Sequence, residues 1–190
     1  MARPAPYASE VAVPLPDEAD IGKIVGKGYD PDTTLHVLKM FAGTEDMYPA
    51  LMGMVKAVFG TSGIDPKHRE VIILRAASIL NCPYEWQANE QMAANAGLTE
   101  AEIDSLVADG PAEGIDREYE LLARATDELL TSGTLTDHTL RSLLGAFGDV
   151  GTRKYVTTIA WFSMLSLFLN GTRVPMETTD KIGSRVSPLS

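Results

Sequence analysis

The chain has 190 residues, of which 45% are hydrophobic and 22% are charged. These values are typical of a globular protein and exclude a wholly disordered, collagen-like or membrane-spanning chain. The 16 Lys and Arg residues are outnumbered by 26 Asp and Glu residues, which gives a formal net charge of -10. Because this charge opposes binding to polyanions, we expect neither nucleic acid nor a membrane surface as a partner.

The pattern along the chain predicts one helical domain between two extended ends. Residues 1–32 contain several prolines and acids and predict an extended arm, and residues 174–190 predict an extended tail. The arm lacks the basic start and apolar run of an export signal, so we expect a cytoplasmic protein. The longest uncharged stretch, residues 155–172, is too short and too polar for a bilayer span.

Apolar residues recur at intervals of three and four from residue 32 onward, which predicts an all-α fold without strands. Asp65 followed by Pro66 predicts a helix start, and Thr99 with Glu102 has the spacing of a capping box. The predicted helices cover residues 33–41, 46–59, 67–81, 83–95, 99–108, 116–130, 137–147 and 151–170.

The single cysteine, Cys82, directly precedes Pro83. A residue before proline avoids the helical conformation, whereas proline suits the first helical position, so Cys82 should lie at a helix start. The helix dipole favours a thiolate there, and a nearby carboxylate would oppose it. An inert buried cysteine is the alternative. One cysteine allows neither an intramolecular disulfide nor a four-cysteine metal site.

Three polar residues are spaced to meet this cysteine. Glu85 and Asn89 follow Cys82 by three and seven residues and therefore share one helical face with it. Glu70 lies twelve residues before Cys82, on the preceding helix, and a helical hairpin would bring it opposite. We take Glu70, Cys82, Glu85 and Asn89 as candidate catalytic residues, with a solvated surface stripe as the alternative.

Five neighbouring residues are candidates for substrate binding. They are His68, Arg69, Arg75, Tyr84 and Trp86. The arginines suit a substrate carboxylate, although structural ion pairs are the alternative, and the aromatic residues suit either a pocket wall or the core. The three histidines are scattered and no two have the spacing of metal ligands, so we expect no metal site.

Three segments carry a resemblance to a known family. Arg69–Arg75, Cys82–Asn89 and Ala96–Ile103 resemble the carboxymuconolactone decarboxylase family, and Glu120–Leu122 and Met164–Asn170 are similar to its longer members. The resemblance covers about residues 35–175. It implies an all-α, alkylhydroperoxidase-D-like helical bundle at residues 33–173, assembled as a homo-oligomer, either a trimer or multiples of dimers.

The chain departs from the redox members of this superfamily. Their motif is a glutamate, eleven spacers, Cys-x-x-Cys, three spacers and a histidine. Glu70 and Cys82 match its first two positions, but Glu85 replaces the second cysteine and Asn89 replaces the histidine. A dithiol mechanism needs a second thiol, and an asparagine does not titrate near neutral pH. Glu85 is similar to the glutamate of non-redox members, which favours acid/base chemistry.

The residues and the resemblance together predict a cofactor-free isomerase, acting on small unsaturated carboxylates that arise from aromatic ring cleavage. It would shift or rotate a double bond either by thiolate addition at Cys82 or by proton relay through Glu70 or Glu85. Asn89 would hold a carbonyl or enolate oxygen. Three alternatives stay open: decarboxylation of a lactone or keto acid, a one-cysteine hydroperoxidase, and a non-catalytic oligomeric binding protein.

Overall fold

The computed structural model describes residues 3–107, 109–177 and 179–189. Its helices are α1 (Glu18–Val25), α2 (His36–Ala42), α3 (Tyr48–Gly60), α4 (Pro66–Ile79), α5 (Pro83–Ala96), α6 (Glu100–Ser105), α7 (Arg117–Ser132), α8 (Asp137–Thr172) and α9 (Thr179–Ile182). Short 3-10 turns at Gly26–Gly28 and Glu45–Met47 precede the α2 and α3 regions. The described residues form no strand, so the all-α prediction is confirmed.

The ends of the central helices follow the capping signals of the sequence. The Asp65 carboxylate accepts a hydrogen bond of 2.8 Å from the Lys67 amide at the start of α4. Thr99 and Glu102 form the predicted capping box of α6. Cys82 is the N-cap of α5, as predicted, and Gly97 ends this helix with a φ of 100°, a conformation that favours glycine.

The core is built around α4, which packs against α5, α7 and α8. All four residues from Val71 to Leu74 are fully buried, so the helix is enclosed by protein around most of its circumference. Glu70 directly precedes this run and is itself fully buried. The most central helix of the protein therefore carries an acidic side chain into the interior.

Three elements differ from the sequence prediction. The arm is not wholly extended, because α1 buries Ile21 completely. The tail contains the short helix α9. The two last predicted helices are joined as α8, in which Gly148 has φ 65° and ψ 179° and marks a kink. Glycine at the predicted boundary therefore bends the helix instead of ending it.

The arm and the tail both pack on the helical body. The Val13 amide donates to the Thr172 carbonyl over 3.0 Å, and the Tyr7 hydroxyl donates to Asn170 Oδ1 over 2.6 Å. At the other end of the chain, Asn95 Nδ2 donates to the carbonyls of Gly183 and Arg185. Among the helices described, none combines the length and the apolar character needed to cross a membrane.

Candidate active site

The hairpin of α4 and α5 brings two acidic side chains together in the interior. Glu70 is fully buried on α4, and Glu85 on α5 is 3% exposed. The charge of Glu70 is close enough to raise the pKa of Glu85. The structure thus juxtaposes Glu70 and Glu85, as the twelve-residue spacing between Glu70 and Cys82 predicts for a helical hairpin.

Burial keeps both carboxyl groups protonated to unusually high pH. It raises the pKa of Glu70 to about 8, against the opposing effect of the Arg69 guanidinium, whose Nε lies 3.4 Å from Glu70 Oε1. Burial, followed by the charge of Glu70, also raises the pKa of Glu85 to about 8. Arg69 favours the charged form of Glu70, and the charge of Glu70 favours the protonated form of Glu85.

Glu85 and Asn89 line a small apolar cavity of about 40 Å³. Asn89 Nδ2 donates to the Glu85 backbone carbonyl over 2.8 Å, which fixes the orientation of the amide. The rest of the lining is mainly apolar: Leu35, Val37, Leu38, Phe41, Val55, Phe59, Tyr84, Ala88, Met92, Trp161, Phe162, Leu165 and Pro188.

Cys82 lies beside these acids but is not among the residues that line the cavity. Its side chain has no exposed surface. Burial, followed by the charge of Glu85, raises the pKa of the thiol to about 12, although hydrogen bonds involving the Glu85 backbone and the Ser166 and Tyr7 side chains oppose this change. The expectation that the helix start favours a thiolate is therefore wrong: burial outweighs the helix dipole at this position.

The segment that forms this site also matches a known family. Residues 45–127 match the sequence model of the carboxymuconolactone decarboxylase family. This segment belongs to the carboxymuconolactone decarboxylase family. No curated protein matches the chain at a significant level.

The matched residues contain the whole hairpin, including Glu70, Cys82, Glu85 and Asn89. The family prediction is confirmed, and with it the alkylhydroperoxidase-D-like helical fold. The outer limits of the predicted domain, residues 33–173, extend beyond the match and stay a prediction.

Of the predicted aromatic residues, Tyr84 lines the cavity of this carboxymuconolactone decarboxylase family domain and Trp86 does not. The Tyr84 hydroxyl donates to Glu177 over 2.5 Å and accepts from the Val37 amide over 3.0 Å. Trp86 is buried, and the Arg3 guanidinium lies 5.9 Å from its ring. Tyr84 is thus fixed in the wall by its hydroxyl group.

His68 also lies apart from the cavity lining. Its Nδ1 is 2.6 Å from the Tyr155 hydroxyl, and its Nε2 is 3.3 Å from Glu118. Its ring makes edge contacts with Tyr119 and Phe147. Burial lowers the pKa of His68, while Asp65, Glu118 and Asp116 act in the opposite direction. These contacts give His68 a packing role at the start of α4.

The two predicted arginines have different surroundings. Arg75 donates to Asp127 over 2.6 and 2.9 Å, and also to the carbonyls of Leu106, Val107 and Gly110. Its donors are therefore used to join α4 to α7 and to the loop before it, and we do not retain it as a substrate ligand. Arg69 lies beside Glu70, and its guanidinium is 4.4 Å from the centre of the Phe59 ring, which lines the cavity.

Sequence reasoning did not identify three residues that complete the site. Tyr7 and Ser166 flank Cys82, and Glu177 binds Tyr84. Ser166 lies in a segment that carries the family resemblance, which is the one signal that pointed to it. Tyr7 and Glu177 come from the arm and the tail, where no periodicity indicates a contact with the hairpin.

No group of three or more His, Cys, Asp and Glu side chains in the described part of the chain is arranged to hold a metal ion. The lining residues include Glu85 with its carboxyl group and Asn89 with its amide, beside the Tyr84 hydroxyl and the Trp161 indole. The carboxyl and the amide can transfer a proton and hold an oxygen atom, and both functions use only protein side chains.

Proposed function

We propose that the protein is a cofactor-free enzyme that moves a proton between carbon atoms of a small unsaturated carboxylic acid, and so shifts its double bond. Glu85 is the group that transfers the proton. The observation that carries the proposal is the buried pair of Glu70 and Glu85, of which Glu85 lines an apolar cavity.

The acidity of Glu85 suits this role. A general acid or base is most effective when its pKa lies near the working pH, because both protonation states are then available. The pKa of Glu85, raised to about 8, meets this condition near neutrality. An ordinary surface glutamate, with a pKa near 4.5, would be a weaker base and would rarely hold a proton to return.

The reaction can be written with Glu85 alone as the proton carrier. As a carboxylate, it removes a proton from the carbon next to a conjugated system, and the bonding electrons pass into a dienolate. As a carboxylic acid, it returns the proton to a different carbon, which restores Glu85 and leaves the double bond moved. The Asn89 amide has one N–H beyond the hydrogen that it donates to the Glu85 carbonyl, and this N–H can stabilise the dienolate oxygen.

Of the two routes that the sequence leaves open, the environment of Cys82 favours proton relay. A thiol whose pKa is raised to about 12 is almost wholly protonated at neutral pH, and only the thiolate is a good nucleophile. The same argument disfavours a one-cysteine hydroperoxidase, which needs a thiolate that peroxide can reach. Cys82 has no exposed surface.

Decarboxylation of a lactone or keto acid is the second candidate, because the family match favours it. In that reaction the substrate carboxylate leaves as carbon dioxide, and its bonding electrons remain on carbon. The protonated Glu85 then supplies the proton that replaces it. The two reactions share their catalytic group but differ in their products, since only decarboxylation releases carbon dioxide and consumes a proton from the solvent.

Glu85→Gln tests the proposal, with Glu90→Gln on the same helix as the matched control. Glu90 is partly exposed and pairs with Arg3, outside the cavity lining. The substrates are conjugated ring-cleavage acids and keto acids, followed by ultraviolet absorbance and by carbon dioxide release in deuterium oxide. We expect Glu85→Gln to lose activity by roughly a hundred- to ten-thousand-fold. A changed ultraviolet spectrum without carbon dioxide release indicates isomerisation, and deuterium on carbon shows that the proton on Glu85 exchanges with the solvent.

Three outcomes decide between the remaining alternatives. Carbon dioxide release that depends on Glu85 assigns the decarboxylase. Equal activity of Glu85→Gln and Glu90→Gln contradicts the assignment of the site. Tight binding of such acids without any turnover by the wild type favours the non-catalytic binding protein.

We also propose that the protein forms a homo-oligomer. Leu80, Leu129, Ile159, Met164 and Leu167 are among the residues that line an apolar groove beside α7 and α8. Leu167 is 60% exposed there, and covering this surface with a second copy would remove it from water. Light scattering tests this, since a clean monomer of 20.5 kDa at micromolar concentration contradicts it.

A further inference from the structure

The cavity beside Glu85 is too small for an organic substrate. Its volume is about 40 Å³, which is room for a few water molecules, whereas a cavity that holds benzene measures about 150 Å³. A six-carbon unsaturated acid is at least as large as benzene. One wall must therefore move before such a molecule can bind.

The walls of the cavity differ in how they are held. Most lining residues lie on α2, α3, α5 and α8 and belong to the buried core. Pro188 instead comes from the end of the tail, beyond Ile182, whose side chain packs in the core. The residues after Ile182 reach the body through polar contacts. Asn95 donates to the carbonyls of Gly183 and Arg185 over 3.0 and 2.8 Å, and Arg185 donates to the Thr33 carbonyl over 2.9 Å. Separating these contacts costs less than separating packed helices, so the tail is the wall that can open.

Arg69 connects the end of the tail to the cavity. Its Nη2 donates to the Val186 carbonyl over 3.1 Å, and its guanidinium stacks on Phe59 in the cavity wall. Arg69 is not itself among the lining residues, but when the tail moves away this N–H loses its partner behind Phe59, next to the space that Val186 to Pro188 vacate. A carboxylate is a stronger acceptor for a guanidinium than a backbone carbonyl, so a substrate carboxylate can replace Val186.

We propose that the end of the tail, Val186 to Pro188, is a displaceable wall of the substrate site, and that the substrate carboxylate takes the place of the Val186 carbonyl on Arg69. The proposal rests on the proposed function for the location of the site. It makes Pro188 a residue that limits substrate size and Arg69 the residue that selects acids. Binding then opens the tail, and release of the product allows it to close.

The test measures binding and needs no turnover, so it can fail or succeed independently of the proposed reaction. The chain has two tryptophans, and Trp161 lines the cavity whereas Trp86 does not. In a Trp86→Phe background, fluorescence of Trp161 therefore reports on ligands in the cavity. The probes are sorbate, a six-carbon conjugated acid, and sorbyl alcohol, its uncharged counterpart.

The combined change Asn95→Ala and Arg185→Ala loosens the tail without altering Val186, Pro188 or Arg69. We expect the double substitution to tighten sorbate binding by about tenfold, because less free energy is then needed to displace the tail. Arg173→Ala is the matched control, since this arginine binds Ser9 and Val11 of the arm instead of the tail. It should leave sorbate affinity unchanged.

Two further measurements test the role of Arg69 and the displacement of the tail separately. Arg69→Gln in the loosened chain should remove the preference for sorbate over sorbyl alcohol, which we expect to be about tenfold. In the wild-type protein, sorbate should speed hydrogen exchange of the Arg185 amide. This amide donates to the Ile182 carbonyl while the tail is in place. Failure of sorbate to bind the loosened chain, equal affinity in both chains, or unchanged exchange in the full chain each overturns the proposal.

Discussion

Two buried acidic groups, the Cys82 thiol and the Glu85 carboxyl, lie three residues apart at the start of α5. Burial raises the pKa of both groups, with opposite consequences for their reactivity at neutral pH. It raises the pKa of Glu85 from an ordinary 4.5 to about 8 and that of Cys82 from 9.0 to about 12. The carboxyl group is thereby moved into the range where it can exchange protons at neutral pH. The thiol is moved out of the range where it reacts. The same low-polarity environment therefore favours acid/base chemistry and disfavours thiol chemistry.

The strongest test of this difference between the carboxyl and the thiol is to remove each group in turn. We expect Cys82→Ser to keep activity within about threefold and Glu85→Gln to lose it by roughly a hundredfold or more, because only the carboxyl transfers the proton. Steady-state rates with the acids named above measure both changes. A severe loss in a folded Cys82→Ser protein, with Glu85→Gln active, would reverse the roles.

Alkylation of the thiol gives the next largest effect. At pH 8, a thiol with a pKa of about 12 has about a thousandfold less thiolate than one with a pKa of 9.0. We therefore expect iodoacetamide to label Cys82 in the folded protein at least that much more slowly than in the urea-unfolded protein. Mass spectrometry of quenched samples follows the reaction. Similar rates in both states would mean that the thiol is accessible and ionised.

The buried carboxyl pair should also make stability fall with rising pH. The folded-state pKa of each group, about 8, lies above the unfolded value near 4.5, so the folded protein binds more protons between these two values. Stability is thus greatest below about pH 4.5 for this contribution, is lost as the pH rises to about 8, and changes little above that.

Glu85→Gln tests this linkage because an amide cannot ionise. We expect the variant to be more stable than the wild type by about 1 to 3 kcal/mol at pH 9, and the difference to vanish near pH 5. Urea unfolding at the two pH values measures it, with Glu90→Gln as the control. A difference that is the same at both pH values would contradict burial of an ionisable Glu85.

Tyr7→Phe should give the smallest effect. The Tyr7 hydroxyl acts to lower the pKa of the Cys82 thiol, although burial and the charge of Glu85 prevail. Removal of the hydroxyl should therefore slow alkylation of Cys82 by a few-fold, provided that the phenyl ring keeps the arm in place. Faster alkylation would instead show that Tyr7 shields the sulfur through the position of the arm.

Sequence periodicity was sufficient for the fold of the hairpin and for the position of its polar residues. The spacing of Cys82, Glu85 and Asn89 predicts one shared face, because local helical geometry determines it, and a helical hairpin brings Glu70 opposite. The acidity of Cys82 was not predictable in this way. The helix dipole is visible in the sequence, whereas the burial that raises the pKa of the thiol depends on how distant parts of the chain pack around it.

Long-range contacts also explain the residues whose surroundings were not foreseen. Arg69 and Arg75 lie on the same helix and are equivalent in the sequence, yet one reaches the cavity wall and the other reaches Asp127. The helix α1 was missed because Pro14 and Pro16 precede it closely and its buried face is a single residue, Ile21. A long-range contact holds this helix in place: Lys39 of α2 donates to Glu18 of α1 over 2.7 Å.

The kink in α8 depends on the handedness of one residue. At Gly148, a side chain of ordinary L configuration would meet no atom within 4 Å, yet the backbone angles of 65° and 179° are almost closed to it. For a D residue, the same angles are the mirror image of an ordinary extended conformation. Chemical synthesis with D-alanine at this position should therefore preserve the bend that L-alanine strains, which makes chirality, and not size, the property selected there.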